Sequence, residues 1–114
     1  MADLSEETVI TVFSLQRRLL QIINEATRFA FILFEQYGEI TATAPDLEIL
    51  ENVRERSTTY CTRLHRLLLQ IFESQPTAAS ATLKLLVQSI EQIQASADAG
   101  EATVQEVKRD WNLS

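Results

Sequence analysis

The side chains able to do covalent or metal chemistry are few, and two of them lie one helical turn apart. Cys61 is the only cysteine and His65 the only histidine, and on a helix the two face the same way, as a pair of ligands for zinc or copper would. Two ligands do not make a site. Closing it needs Asp or Glu from another helix, and the Glu-x-x-His pair of carboxylate di-metal bundles is absent. A nucleophilic centre would need a base held beside Ser or Cys. Two isolated glycines, Gly38 and Gly100, cannot build a Gly-rich loop that cradles phosphate. The expectation is no catalytic residue, no metal and no cofactor, with Cys61 serving as a small apolar side chain beside a helix seam.

The remaining chemistry is cationic. Arg54, Arg56, Arg63, His65 and Arg66 surround a single acid, Glu55, in a chain of net charge -6. Antiparallel pairing with an earlier helix would set Arg17 and Arg18 beside Arg63 and Arg66, so a basic patch of Arg17, Arg18, Arg63, His65 and Arg66 is expected. Such a patch is either a solvated face with pairing to nearby acids or a contact for an anionic partner or the acidic face of a second copy. A solvent-facing histidine between arginines is also the arrangement of a phospho-acceptor in histidine phosphotransfer bundles. Leu64-His65-Arg66-Leu67 lacks the Lys-Gly that commonly follows there, so phosphotransfer through His65 stands as the second reading.

Three helices must position these residues. With two Gly and two Pro in 114 residues, breakers are too few for a turn-rich β fold. A chain of this length buries roughly 65% of its unfolded surface, enough for one domain without disulfides. Tyr37-Gly38 and Ser74-Gln75-Pro76 punctuate stretches of helical periodicity. The first helix is expected from Ser5, a good N-cap ahead of Glu6 and Glu7, to Tyr37, with Gly38 at the left-handed C′ position. The second, over 44–73, is announced by Thr43-Ala44-Pro45-Asp46, read as a capping residue, a first-turn proline and a capping-box acid. The third is expected over 77–112. Ala79, Leu83, Leu86, Ile90, Ile93 and Ala97 keep a 3-4 spacing that continues unbroken through Gly100, Val104, Val107 and Trp111, so Asp98-Ala99-Gly100 should not end it. Short connections then give an all-α, up-down-up antiparallel bundle about 50 Å long, one domain over 1–114, with dimerisation expected to complete its burial. Thr27, Ser57, Ala97 and Gly100 should share one height, as small residues that let the helices approach or leave room for a small ligand.

The first helix carries more apolar residues than one seam can use. Val9, Val12, Leu19, Ile23, Ala26, Ala30, Leu33 and Tyr37 form the expected seam, with Phe13, Leu20 and Phe34 on one flank and Leu15, Ile22 and Phe29 on the other. That stripe takes about four positions of seven, wider than the usual three, and Phe31 and Ile32 lie outside even this. Phe29, Phe31, Ile32, Phe34, Tyr37 and Trp111 are therefore the candidate interface, at an aromatic end of the rod that also gathers Ile40 and Leu47.

Composition narrows the function classes. Net charge -6 argues against nucleic acid, where binding rests on excess Lys and Arg, and against a membrane surface, where anchors favour a basic polar face. The opening Met1-Ala2-Asp3-Leu4-Ser5-Glu6-Glu7 is acidic where a signal or transit peptide is basic, and the longest apolar run, Phe29 to Phe34, falls far short of the roughly 20 residues that span a bilayer. With Cys61 alone, a reducing cytoplasm is the expected compartment. The expectation is a small non-enzymatic, homodimeric protein-protein interaction module.

Overall fold

Ser5 opens the chain's first helix as its spacing predicts, accepting a 3.1 Å hydrogen bond from the backbone N–H of Thr8 ahead of two acids that suit the positive helix end. A computed structural model of the chain describes residues 4–76 and 78–114. Over these it forms α1 (Glu6–Tyr37), α2 (Ala44–Glu73) and α3 (Ser80–Asp110). Met1 to Asp3, and Thr77 where the third helix is expected to begin, lie outside the described residues. Each helix packs on the other two, and the bundle measures 56 × 19 × 17 Å. The end of α1, the start of α2 and the end of α3 meet at one pole, where Trp111 touches both Tyr37 and Asp46. The topology is up-down-up.

Both ends of α3 differ from expectation. It starts at Ser80 and stops at Asp110. The stop is a Schellman motif: Leu113 N–H reaches Lys108 O at 2.9 Å, Asn112 N–H reaches Arg109 O at 3.2 Å, and Asn112 takes positive φ. Leu113 is buried, which supplies the apolar contact this motif favours. Between its ends α3 runs unbroken through Asp98-Ala99-Gly100, so the 3-4 register was the right guide.

The turn between α1 and α2 is held by one side chain. Gly38 ends α1 with φ of 72°, a conformation that glycine alone adopts freely. Thr43 does not cap α2 as expected. Its hydroxyl points back into the turn, donating to Gly38 O at 2.7 Å and accepting from Ile40 N–H at 3.0 Å, and the residue is fully buried. Asp46 completes no capping box either. Its carboxylate accepts the Trp111 indole N–H at 2.7 Å, tying the start of α2 to the end of α3.

The core forms two blocks. One is built on Leu15, Leu19, Leu64, Leu68, Leu86 and Ile93, the other on Ala26, Phe29, Leu50, Val104 and Val107, and Val53 packs against both. Near their junction Ser57 and Ala97 are buried. Thr27 is exposed, so it leaves the predicted small-residue layer. A methyl group added at Gly100 would meet Val53 Cγ1 at 3.5 Å and Ile22 Cγ2 at 3.8 Å, ordinary contact rather than collision. These side chains occupy the space beside Gly100 that a small ligand would need.

Two stability changes of opposite sign follow. Gly100→Ala should stabilise the fold by about 0.5–1 kcal/mol, through helix propensity and a fitted methyl. Thr43→Val should cost about 1–3 kcal/mol, because a carbonyl and an N–H lose their partner in the turn. Urea denaturation of both variants checks the signs.

Candidate interaction site

The buried seam of α1 is Val12, Leu15, Leu19, Ile22, Ala26, Phe29 and Leu33, alternating steps of three and four. It is rotated from the expected seam toward the Leu15, Ile22 and Phe29 flank. Phe29 therefore leaves the candidate interface. It is 0% exposed, with Arg28 stacked 4.8 Å from its ring centre. Ile32 is half-buried against the same core block. Trp111 is also half-buried there, its ring 5.0 Å from that of Tyr37. Tyr37, Phe31 and Phe34 remain on the surface, the last two 64% and 54% exposed.

The same rotation leaves the opposite flank outside. Phe13 and Leu20, placed beside the seam by sequence periodicity, are each 57% exposed. Gln16 and Leu20 border a shallow depression with Cys61, Thr62 and His65 of α2. Farther along that side of α2, four and seven residues beyond His65, Leu69 and Phe72 are exposed. Antiparallel pairing sets these two at the height of Phe13. The outer side of the α1–α2 pair thus carries apolar residues along most of its length, not only at the aromatic pole. Leu69 and Phe72 were not among the sequence candidates; their signal was the i, i+4, i+7 spacing from His65.

The basic patch does not assemble as expected. Arg18 turns toward α3, where its guanidinium binds Glu101 through Nε at 2.9 Å and Nη2 at 2.6 Å and also contacts Asp98. Arg17 is exposed on the outer face of α1. Arg63 stacks on Tyr60, its guanidinium carbon 5.2 Å from the ring centre, and faces Gln92 of α3. With Arg66, Thr59, Leu67, Gln70 and Leu85, Arg63 lines an open depression of about 510 Å³ between α2 and α3. His65 faces α1 instead, away from those arginines. The cationic surroundings that made it a phospho-acceptor candidate belong to the other side of α2. Arg56 joins Arg63 around an adjoining hollow.

The chemistry of these groups is quiet. Burial pushes the Cys61 thiol above its ordinary pKa, the reverse of what a reactive thiolate needs. Among the described residues no group of three His, Cys, Asp or Glu is placed to hold a metal ion, and no helix is long and apolar enough to cross a membrane. No buried side-chain polar atom lacks a partner among them. The three grooves differ in character: α1–α3 is bridged by the Arg18 ion pairs, α2–α3 is basic and α1–α2 is apolar.

The Arg18 cluster has a defined pH signature. Hydrogen bonding to Arg18 holds the Glu101 carboxyl below its ordinary pKa, so this link stabilises the fold above the usual carboxylate range and is lost as pH falls through it. Arg18→Met should destabilise by up to about 1 kcal/mol near neutrality, discounted for solvent exposure, and by progressively less below about pH 4.5. Urea denaturation of both proteins from pH 7 to 3 measures this, and a difference that stays constant would refute it.

Comparison of the chain with protein families, with curated proteins and with solved structures gives no match.

Proposed function

We propose that the protein is a non-enzymatic protein-protein interaction module of the cytoplasm that acts as a homodimer, joined through the outer face of α1 and the adjoining apolar side of α2. The single observation that carries this reading is the row of exposed large apolar residues on α1, Phe13, Leu20, Phe31 and Phe34, in a helix whose core seam is already complete without them. Exposed apolar patches of this extent are the usual footprint of association.

The magnitudes suit a reversible contact. Phe13, Leu20, Phe31, Phe34, Tyr37, Ile40, Leu69 and Phe72 are each about half exposed, leaving roughly 1 kcal/mol apiece still to gain from burial. Across two copies that is about 16 kcal/mol. Association costs on the order of 10 kcal/mol leave about 6 kcal/mol, a dissociation constant of tens of micromolar. The chemistry-bearing residues point the same way. Among the described residues Cys61 and His65 belong to no group that could hold a metal ion, and Arg63 and Arg66 of α2 face a different groove.

Sedimentation between about 10 and 500 µM tests the reading. The wild-type chain should pass from monomer to dimer across that range. Phe31→Asp with Phe34→Lys places charges in the contact while sparing the buried seam, and should stay a fully helical monomer. A wild-type chain monomeric throughout, or a double variant that still dimerises, overturns the proposal. His65→Ala should leave association unchanged. A stoichiometric acid-labile, base-stable phosphoryl adduct on His65 would instead establish the phosphotransfer reading.

A further inference from the structure

We propose that two copies pair α1 against α1 antiparallel, in the register that sets Leu20 of one chain on Phe31 of the other. This rests on the homodimer reading above and adds its orientation and its contacts.

The outer face of α1 repeats like a second seam. Phe13, Leu20, Thr27 and Phe34 recur every seven residues, with Arg17, Asn24 and Phe31 interleaved at steps of four and three, and all are exposed. A strict four-three alternation over three turns of heptad is what a helix needs to pack along another helix rather than touch it once. The row from Phe13 to Phe34 is about 32 Å long at 1.5 Å per residue. An ordinary interface takes about 800 Å² from each partner, roughly a ninth of the 7221 Å² surface of this chain.

A two-fold contact requires the face to match itself when reversed, and one register does so at each layer. Asn24 stands opposite Thr27 twice around the axis, a polar pair whose side chains can hydrogen-bond. Leu20 stands opposite Phe31 on either side of that centre. Farther out Arg17 lies over Phe34, a cation–π pair. Phe13, with Leu69 and Phe72 of α2 at its height, then reaches the Gly38 turn of the other copy, where Tyr37 and Ile40 are exposed.

Charge supports the same register. Glu35, next to Phe34 on the exposed side, comes beside Arg17 of the other chain. Among the described residues neither Arg17 nor Glu35 has an ion-pair partner within the chain, whereas the neighbouring Arg18 has two. The acidic excess of the chain does not oppose the contact locally, since Arg17 balances Glu35 on this face. Sliding one copy by a heptad sets Leu20 on Asn24 in one direction and Phe34 on Asn24 in the other. A parallel arrangement sets Arg17 on Arg17.

Arg17→Glu and Glu35→Arg separate these alternatives. Each variant alone turns two intermolecular ion pairs into like-charge contacts, so its self-association should weaken about tenfold. Mixing the two variants sets opposite charges against each other at both pairs, one in the native sense and one reversed, and the mixture should form a heterodimer with wild-type affinity in sedimentation and native mass spectrometry. Both sites are exposed, so circular dichroism should report unchanged helicity. If both variants associate as the wild type does, or if mixing restores nothing, while Phe31→Asp with Phe34→Lys remains monomeric, the dimer reading stands and this pairing is wrong. If the wild type is monomeric, both fall.

Discussion

A straight helix can hand only one stripe to two neighbours, and the first helix of this chain carries two. Its buried residues from Val12 to Leu33 complete a 3-4 seam that α2 and α3 cover between them. Phe13, Leu20, Phe31 and Phe34 lie on the far side of the same cylinder. No rotation of α1 buries both sets, because an α-helix turns about 100° per residue and the two stripes are more than a quarter-turn apart. The seam that wins is the one with Leu15, Ile22 and Phe29, and the surplus is left on the surface. The apolar character of the α1–α2 groove is a consequence of that choice.

Polar side chains decide how the rod is held at its pole. Three helices meeting on apolar seams can slide along one another with little penalty, since seams repeat every heptad. The Asp46–Trp111 hydrogen bond and the Thr43 hydroxyl in the α1–α2 turn have no such repeat. They register the helices at one end, and the Arg18 pairs with Glu101 and Asp98 set α1 against α3 nearer the middle. The same residues explain why the three grooves differ. An arginine spent on two carboxylates closes one groove, while Arg63 of α2, which meets Gln92 and the Tyr60 ring, and Arg66 beside it leave another open and cationic.

Much of the architecture was legible in residue order. Ser5 and Gly38 mark the ends of α1, and the unbroken spacing from Ala79 to Val107 carries α3 past Gly100. Periodicity could not phase α1, because a stripe four positions wide has no unique centre; Phe29 and Leu20 flank the expected seam on opposite sides, and only the Phe29 flank is buried. Side chains that cap locally in most sequences were here taken by tertiary partners, Asp46 by an indole at the other end of the chain and Thr43 by the turn before it. The expected basic belt failed for a related reason. Adjacent helical residues point about 100° apart, so Arg17 and Arg18 cannot serve one face, and neither can His65 and Arg66.

The placement of the arginines bears on what a dimer through α1 presents outward. With α1 at the centre, α2 and α3 of each copy lie outside it, and the groove holding Arg63 and Arg66 is not part of the joined face. Two such grooves would then stand on the outside of one assembly, each cationic within a chain of net charge -6. Acidic residues lie elsewhere, in the N-terminal turn of α1, in Glu39, Asp46, Glu48 and Glu51 around the start of α2, and in α3, where Asp98 and Glu101 are partly neutralised by Arg18. Segregating apolar, cationic and ion-paired surfaces onto three separate grooves lets one be occupied without covering the others. A three-helix rod is the smallest bundle that has three grooves to divide in this way.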